Sequence, residues 1–386
     1  MFHTKCSICA CFKVEKKLTF PPSPISNRFL AQSEVNPEVT ISLGVCDNCD
    51  TAQLIGYPDP ETVKSIHSWL HYNEPEGHLD TLLEEFTNTY LLDKGSHILA
   101  TTYKDKSTIE RFKARGYLNC ANLDYSSLKK PYGLETIQNY LTSTNLDTIS
   151  HNKKFDCIVA RHLVEHANDA KKLLEQLVSL LKSNGILLIE LPESSKIFNT
   201  NNHAFIWEEH ISYLRFHNIE TIASSINCCI LNSWQFDYPY EDSLVIALSP
   251  LQNKQETNKL TPHKKIDITH FCESFEVTSQ FWQKKLRKYK ANNKKVALFG
   301  AGHLAIRFIK FYQLEELISI VIDDNKNKVG TYIPSTNIKI VSSMSISAAE
   351  YPICLSTLSP ESELKVKKTN SYFSSNVEII NCFIES

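Results

Sequence analysis

Four cysteines fall into two pairs, Cys6 with Cys9 and Cys46 with Cys49, each pair separated by two residues and the pairs by about 36. Two such knuckles bring four thiolates to one ion, a closed tetrahedral set with no open position for a substrate, so structural zinc is expected. Unpaired buried thiols are the bland alternative, but this segment is too poor in apolar residues to fold unaided. Cys11 is a possible substitute ligand. Cys120, Cys157, Cys228, Cys229, Cys272, Cys354 and Cys382 stand in apolar surroundings, where cysteine acts as a small hydrophobe. A second pattern runs from Lys295 to Ala305: an apolar run, then G-x-G-x-x-A, with Asp323 about 21 residues after Gly302. Gly300 and Gly302 permit a tight turn at a helix N-terminus suited to phosphate, and Asp323 would accept ribose hydroxyls. Taken alone this pattern reads as an NAD site, although no histidine and arginine set for hydride transfer is recognisable nearby.

The elements that must position these residues follow from length and patterning. A chain of 386 residues exceeds what one core usually organises, so two or three domains are expected. With 42% hydrophobic and 22% charged residues, and no apolar run near the roughly 18 residues of a membrane span, the chain reads as globular with no membrane span. Its 41 lysines and arginines against 43 acids give net charge -2, so no cationic field invites nucleic acid. The start, MFHTKCSICACF, lacks the basic, apolar and small-residue succession of a secretory signal, which makes the cytoplasm the expected compartment and reduced thiols the expected state. Only 10 glycines occur, where average usage of about 7% gives roughly 27, so tight phosphate turns have few candidate positions.

Residues 1–60 form a loop-rich cysteine module. Over 61–250, helical stretches alternate with apolar runs at 97–101, 155–160, 185–191 and 243–248, which implies a mostly parallel sheet. Residues 250–264 are polar and proline-bearing, an expected linker. Ile268, Phe271, Phe275, Trp282, Leu286 and Tyr289 recur at helical spacing ahead of a second α/β unit over 265–386. The basic cluster from Lys284 to Lys290 is the solvated, dipole-favoured end of that helix. The fold class is α/β: a small zinc-binding module plus two Rossmann-like domains.

The run ARHLVEH ending at His166, followed by LLKSNGILLIELPE, resembles the fourth strand, following helix and fifth strand of a class I S-adenosylmethionine-dependent methyltransferase. The later WEEHISY, Trp207 to Tyr213, is similar to the E-H-x-x-Y element of sugar C-methyltransferases of deoxysugar pathways. Those enzymes join a four-cysteine zinc module, a methyltransferase domain and a C-terminal Rossmann-like domain, and all three occur here in order. PISNRF at 24–29 and DDNKNKVGTYIP at 323–334 add to the likeness. The resemblance implies a nucleotide-linked keto-deoxysugar as substrate: a base removes the proton beside the keto group, and the enolate attacks the methyl sulfonium. His210 is the implied base, Glu209 orients it or acts alongside, and Tyr72 and His166 fall at active-site positions. Tyr213, Gly300, Gly302 and Asp323 are implied on the substrate side, where the C-terminal domain helps hold the nucleotide-sugar. Trp207 stands where the family is expected to carry a tyrosine.

The cofactor turn departs from the resemblance. Where roughly E-x-G-x-x-x-G is expected after the first strand, residues 97–108 read HILATTYKDKST, with no glycine. Thr102 and Lys106 stand at the glycine positions, each placing a side chain where the cofactor would lie, and Lys106 adds a positive charge near a sulfonium. Asp105 keeps the acidic position of the turn, and Asp124 would accept ribose hydroxyls. S-adenosylmethionine binding is therefore expected to be weakened or lost. Two other readings stay open: a degenerate homologue that binds a sugar nucleotide or protein partner without methyl transfer, and an NAD-dependent enzyme using the Gly300 and Gly302 loop.

Overall fold

The computed structural model describes residues 4–30, 36–70, 74–130, 132–251, 262, 264–373 and 376–384. Tyr72 and most of the expected linker at 250–264 lie outside them.

The cysteine segment is a sheet rather than a set of loops. Strands Val14–Thr19, Ser42–Cys46 and Ala52–Ile55 pair antiparallel, and the fourth strand is Ser212–Tyr213, more than 150 residues away in sequence. Leu54 N–H donates to Ile211 O at 2.9 Å, and the Ser7 and Ser212 hydroxyls lie 2.5 Å apart. The cysteine module is thereby built onto the WEEHISY segment.

The central sheet has six strands in the order Cys228–Phe236, Asp242–Pro250, Leu181–Glu193, Phe155–Arg161, Ile98–Ala100, Cys120–Asn122. The last four run parallel, while Asp242–Pro250 is antiparallel to both neighbours. Ile98, Leu99, Cys157, Ile158 and Val159 are fully buried, as parallel strands covered on both faces require. All four apolar runs noted in 61–250 become strands. Cys120–Asn122 and Cys228–Phe236 carry half-exposed positions and give no continuous apolar run.

The third sheet is parallel throughout, in the order Ile340–Val341, Ile320–Ile322, Val296–Phe299, Ile353–Ser356, Glu378–Asn381. Helix Thr269–Ala291 precedes it and buries Phe271, Trp282 and Leu286, with Lys288 and Lys290 in its last turn. Phe20 stacks on Phe311 at 4.3 Å, and one apolar cluster joins Phe20, Phe29 and Leu43 to Trp282, Phe308 and Leu355. Another joins Cys6, Ile8 and Cys46 to Leu163, Leu174 and Ile219. The cysteine module therefore packs against both α/β units.

Candidate active site and structural metal site

The sulfurs of Cys6, Cys9, Cys46 and Cys49 lie within 4.8 Å of one another, with Cys6 to Cys49 at 3.5 Å and Cys9 to Cys46 at 3.6 Å. Four thiolates at about 2.3 Å from a central zinc stand about 3.8 Å apart, so the set fits a tetrahedral ion. Each knuckle ends on a left-handed residue, Ala10 (φ 60) and Asp50 (φ 58), whose N–H bonds back to the carbonyl of Cys6 or Cys46. Cys11 stands 3.4 Å from Cys9 and 3.3 Å from Cys46, beside the set as the sequence suggested.

A cavity of about 400 Å³ lies where the central sheet, the cysteine module and the C-terminal unit meet. The strand Phe155–Arg161 delivers His162, Glu165 and His166 to it, and the turn before Ser212–Tyr213 delivers Trp207, Glu209 and His210. Two neighbours fix that turn. Tyr213 Oη accepts from Trp207 N at 2.7 Å, so this tyrosine braces the wall from behind rather than lining the cavity. Glu208, fully buried, accepts from Ser26 N at 2.6 Å and pairs with Arg307, also fully buried. Asn27 Nδ2 donates to Glu209 Oε1 at 3.0 Å, which ties Glu209 to the PISNRF loop.

His166 and His210 meet edge to face with ring centroids 4.8 Å apart. Burial lowers the pKa of both rings: His166 falls well below the usual range, and His210 is lowered although Glu165 and Glu74 oppose the shift. Burial also disfavours charge on His162, but Glu74, Glu165 and Glu190 outweigh it and push it up to about 10. The neutral imidazoles of His166 and His210 thus stand in the same cavity as the imidazolium of His162. Burial raises Glu135 to about 7 and Glu241 to about 8, while His162 and Lys104 hold Glu74 well below the usual carboxylate range despite its burial.

The C-terminal loop reaches the same cavity. Gly300 is left-handed (φ 96), and an added Cβ would meet Thr357 Oγ1 at 2.9 Å. Gly302 precedes the helix His303–Phe311, whose first residue lines the cavity with its ring stacked on Trp207 at 4.2 Å. Asp323 Oδ2 accepts from Ala301 N at 3.0 Å and Lys328 Nζ at 3.1 Å, so this carboxylate closes its own loop instead of facing a ribose. Neither His303 nor Lys328 was singled out from sequence, although His303 follows the G-x-G directly. Glu74, Glu135, His162 and Glu241 also escaped notice, because acids and histidines scattered over 168 positions share no spacing.

The presumed cofactor turn has a closed geometry. Asp105, fully buried, accepts from Thr101 N, Thr102 N and Arg161 N, each at 2.8 Å, and from Thr101 Oγ1 at 2.9 Å. Thr102 Oγ1 accepts from Lys104 N at 3.1 Å. Asp124 is exposed and accepts from Ser126 N at 2.8 Å. The charge expected from Lys106 comes from its neighbour: Lys106 is 80% exposed, whereas Lys104 Nζ enters the acid–base cavity and bonds to Glu74 at 2.7 Å. Thr102 and Lys106 line a second cavity of about 410 Å³ beside Asn122 and Leu123, and Tyr103 and Tyr132 line both cavities. The groove at this sheet edge is thus divided by two aromatic side chains, with an ammonium in the compartment nearest the histidines. Thr102 and Lys106 thus carry side chains at the positions where the turn was expected to hold glycine, and a cavity remains beside them.

Residues 63–232 match the methyltransferase domain family, and residues 250–379 match the C-methyltransferase C-terminal domain. No curated protein matches the chain. Among solved structures, the cyclase SpnF is 10% identical over 45% of this chain and 81% of its own, with a TM-score of 0.32. An S-adenosylmethionine-dependent methyltransferase from Clostridium acetobutylicum is 10% identical over 46% of this chain and 93% of its own, with a TM-score of 0.31. The LepI complex with SAM is 13% identical over 45% of this chain, which spans only 41% of that protein, with a TM-score of 0.27. The chain therefore carries a methyltransferase domain followed by a C-methyltransferase C-terminal domain, side by side over most of its length.

Proposed function

We propose that this protein binds a nucleotide-linked keto-deoxysugar in the cavity between its domains and enolises it, with His210 as the base. The neutral His210–His166 pair, set against the imidazolium of His162, carries this reading. An imidazole held neutral by burial is ready to take a proton, and the cation beside it opposes the negative charge that develops on the keto oxygen. The C–H electron pair moves into the enolate, His210 holds the proton, and return of a proton to the same carbon closes the cycle. Lys130, on the cavity rim, and the N-terminus of helix His303–Phe311 offer positive potential to a diphosphate. Zinc in the four-thiolate site holds the module that carries Asn27 and pairs with Ser212–Tyr213. The domain matches support S-adenosylmethionine-dependent methyl transfer in general; on our reading the side chains of Thr102 and Lys106, in place of turn glycines, weaken cofactor binding so that enolisation proceeds without methylation.

The test is proton exchange. In deuterated buffer, the zinc-loaded protein is expected to replace the hydrogen beside the keto group by deuterium, read by proton NMR. The substitution His210→Ala is expected to slow this by about 100-fold or more, the usual contribution of a positioned base. Equal exchange rates in the two proteins would remove His210 from the role.

A further inference from the structure

Three side chains on the cavity wall, among them the His166 that pairs with His210, form a compact group. Glu135, His166 and Glu209 are all buried, and each places a ligand atom within 4.8 Å of the other two. Nδ1 of His166 finds no hydrogen-bond partner among the described residues although the residue is only 4% exposed. Glu209 receives Asn27 Nδ2, and the nearby ammonium of Lys104 is bonded to Glu74 instead. Two neighbouring buried carboxylates beside an imidazole with an unpartnered nitrogen are stabilised by a shared cation, because desolvated like charges repel without one.

We propose that Glu135, His166 and Glu209 bind one divalent cation of the manganese or zinc class on the wall of the acid–base cavity. Two carboxylates and one imidazole form a mixed oxygen and nitrogen set that leaves positions open for substrate oxygen. The ion's use rests on the proposed enolisation: bound beside His210, it polarises the keto oxygen while His210 takes the proton. Its presence does not rest on that reading. Glu165 and His210 form the rival set with His166, their ligand atoms also within 4.8 Å of one another, and the His210 variant below separates the two.

The probe is manganese, a hard ion that leaves the four-thiolate zinc in place. Titration of the full-length, zinc-loaded protein, read by calorimetry and by manganese electron paramagnetic resonance, is expected to show one site of micromolar affinity. Glu135→Gln, Glu209→Gln and His166→Ala are each expected to weaken it at least tenfold, while His210→Gln leaves it within a factor of a few. Absence of binding, or binding that ignores all three substitutions, would overturn the site. The two proposals fail separately: exchange that persists at full rate without divalent ions removes the ion's role and leaves His210 standing, whereas bound manganese without exchange does the reverse.

Discussion

Stripping the metal from the four-thiolate site is expected to unfold the cysteine module and, with it, the wall that carries Glu209 and His210. Structural zinc contributes an apparent 10–16 kcal/mol in small thiolate modules near neutral pH, about as much as a whole domain's net stability. Here the loss propagates, because Ser212–Tyr213 completes the module's sheet and Arg215 pairs with Asp50 in the second knuckle. Metal analysis of the native protein should find about one zinc per chain with manganese absent, and a chelator should lower the melting temperature steeply. The thiols should not be equivalent. Cys11 lies 3.4 Å from Cys9 and 3.3 Å from Cys46 and is placed to substitute for either. Cys9→Ser and Cys46→Ser are therefore expected to retain more zinc than Cys6→Ser and Cys49→Ser. A metal-free preparation with unchanged melting would contradict the assignment.

Replacing Glu208 by alanine is expected to cost about 3–5 kcal/mol, since it leaves the fully buried Arg307 without its counter-charge. Two segments lose a common partner at once: Glu208 also accepts from Ser26 N at 2.6 Å and Ser26 Oγ at 3.2 Å, and Arg307 donates to Pro24 O at 3.3 Å. A buried ion pair can often be exchanged for apolar residues at little cost, but here the pair Glu208→Leu with Arg307→Met would leave the Ser26 donors unsatisfied. The double variant is thus expected to recover only part of the loss, measured as the midpoint of denaturant unfolding. Full recovery would show that Ser26 contributes nothing through Glu208.

Much of this was legible in the sequence because motifs fix local geometry. The two C-x2-C knuckles required four sulfurs to meet, and they do. ARHLVEH puts two histidines on the cavity wall and WEEHISY one. The apolar runs that became strands did so because parallel strands are buried on both faces. What stayed hidden depends on contacts distant in sequence. Nothing local says that Ser212–Tyr213 joins the cysteine module's sheet, or that Tyr213 spends its hydroxyl on Trp207. The acid kept at Asp105 looked like a ligand-facing group, yet four hydrogen bonds from Thr101, Thr102 and Arg161 engage it inside the fold. The misplaced charge of Lys106 has a similar origin: two residues along a tight turn, Lys104 points inward and Lys106 outward.

One measurement tests the central claim, that the proton-abstracting half of the site persists while the methyl-donor half does not. The zinc-loaded protein would be incubated in deuterated buffer with a nucleotide-linked keto-deoxysugar and S-adenosylmethionine together, and the sugar weighed by mass spectrometry. The account predicts uptake of deuterium without a methyl group. A methylated product would contradict it by showing that the Thr102 to Lys106 turn still accommodates the cofactor, and a sugar of unchanged mass would contradict the role given to His210.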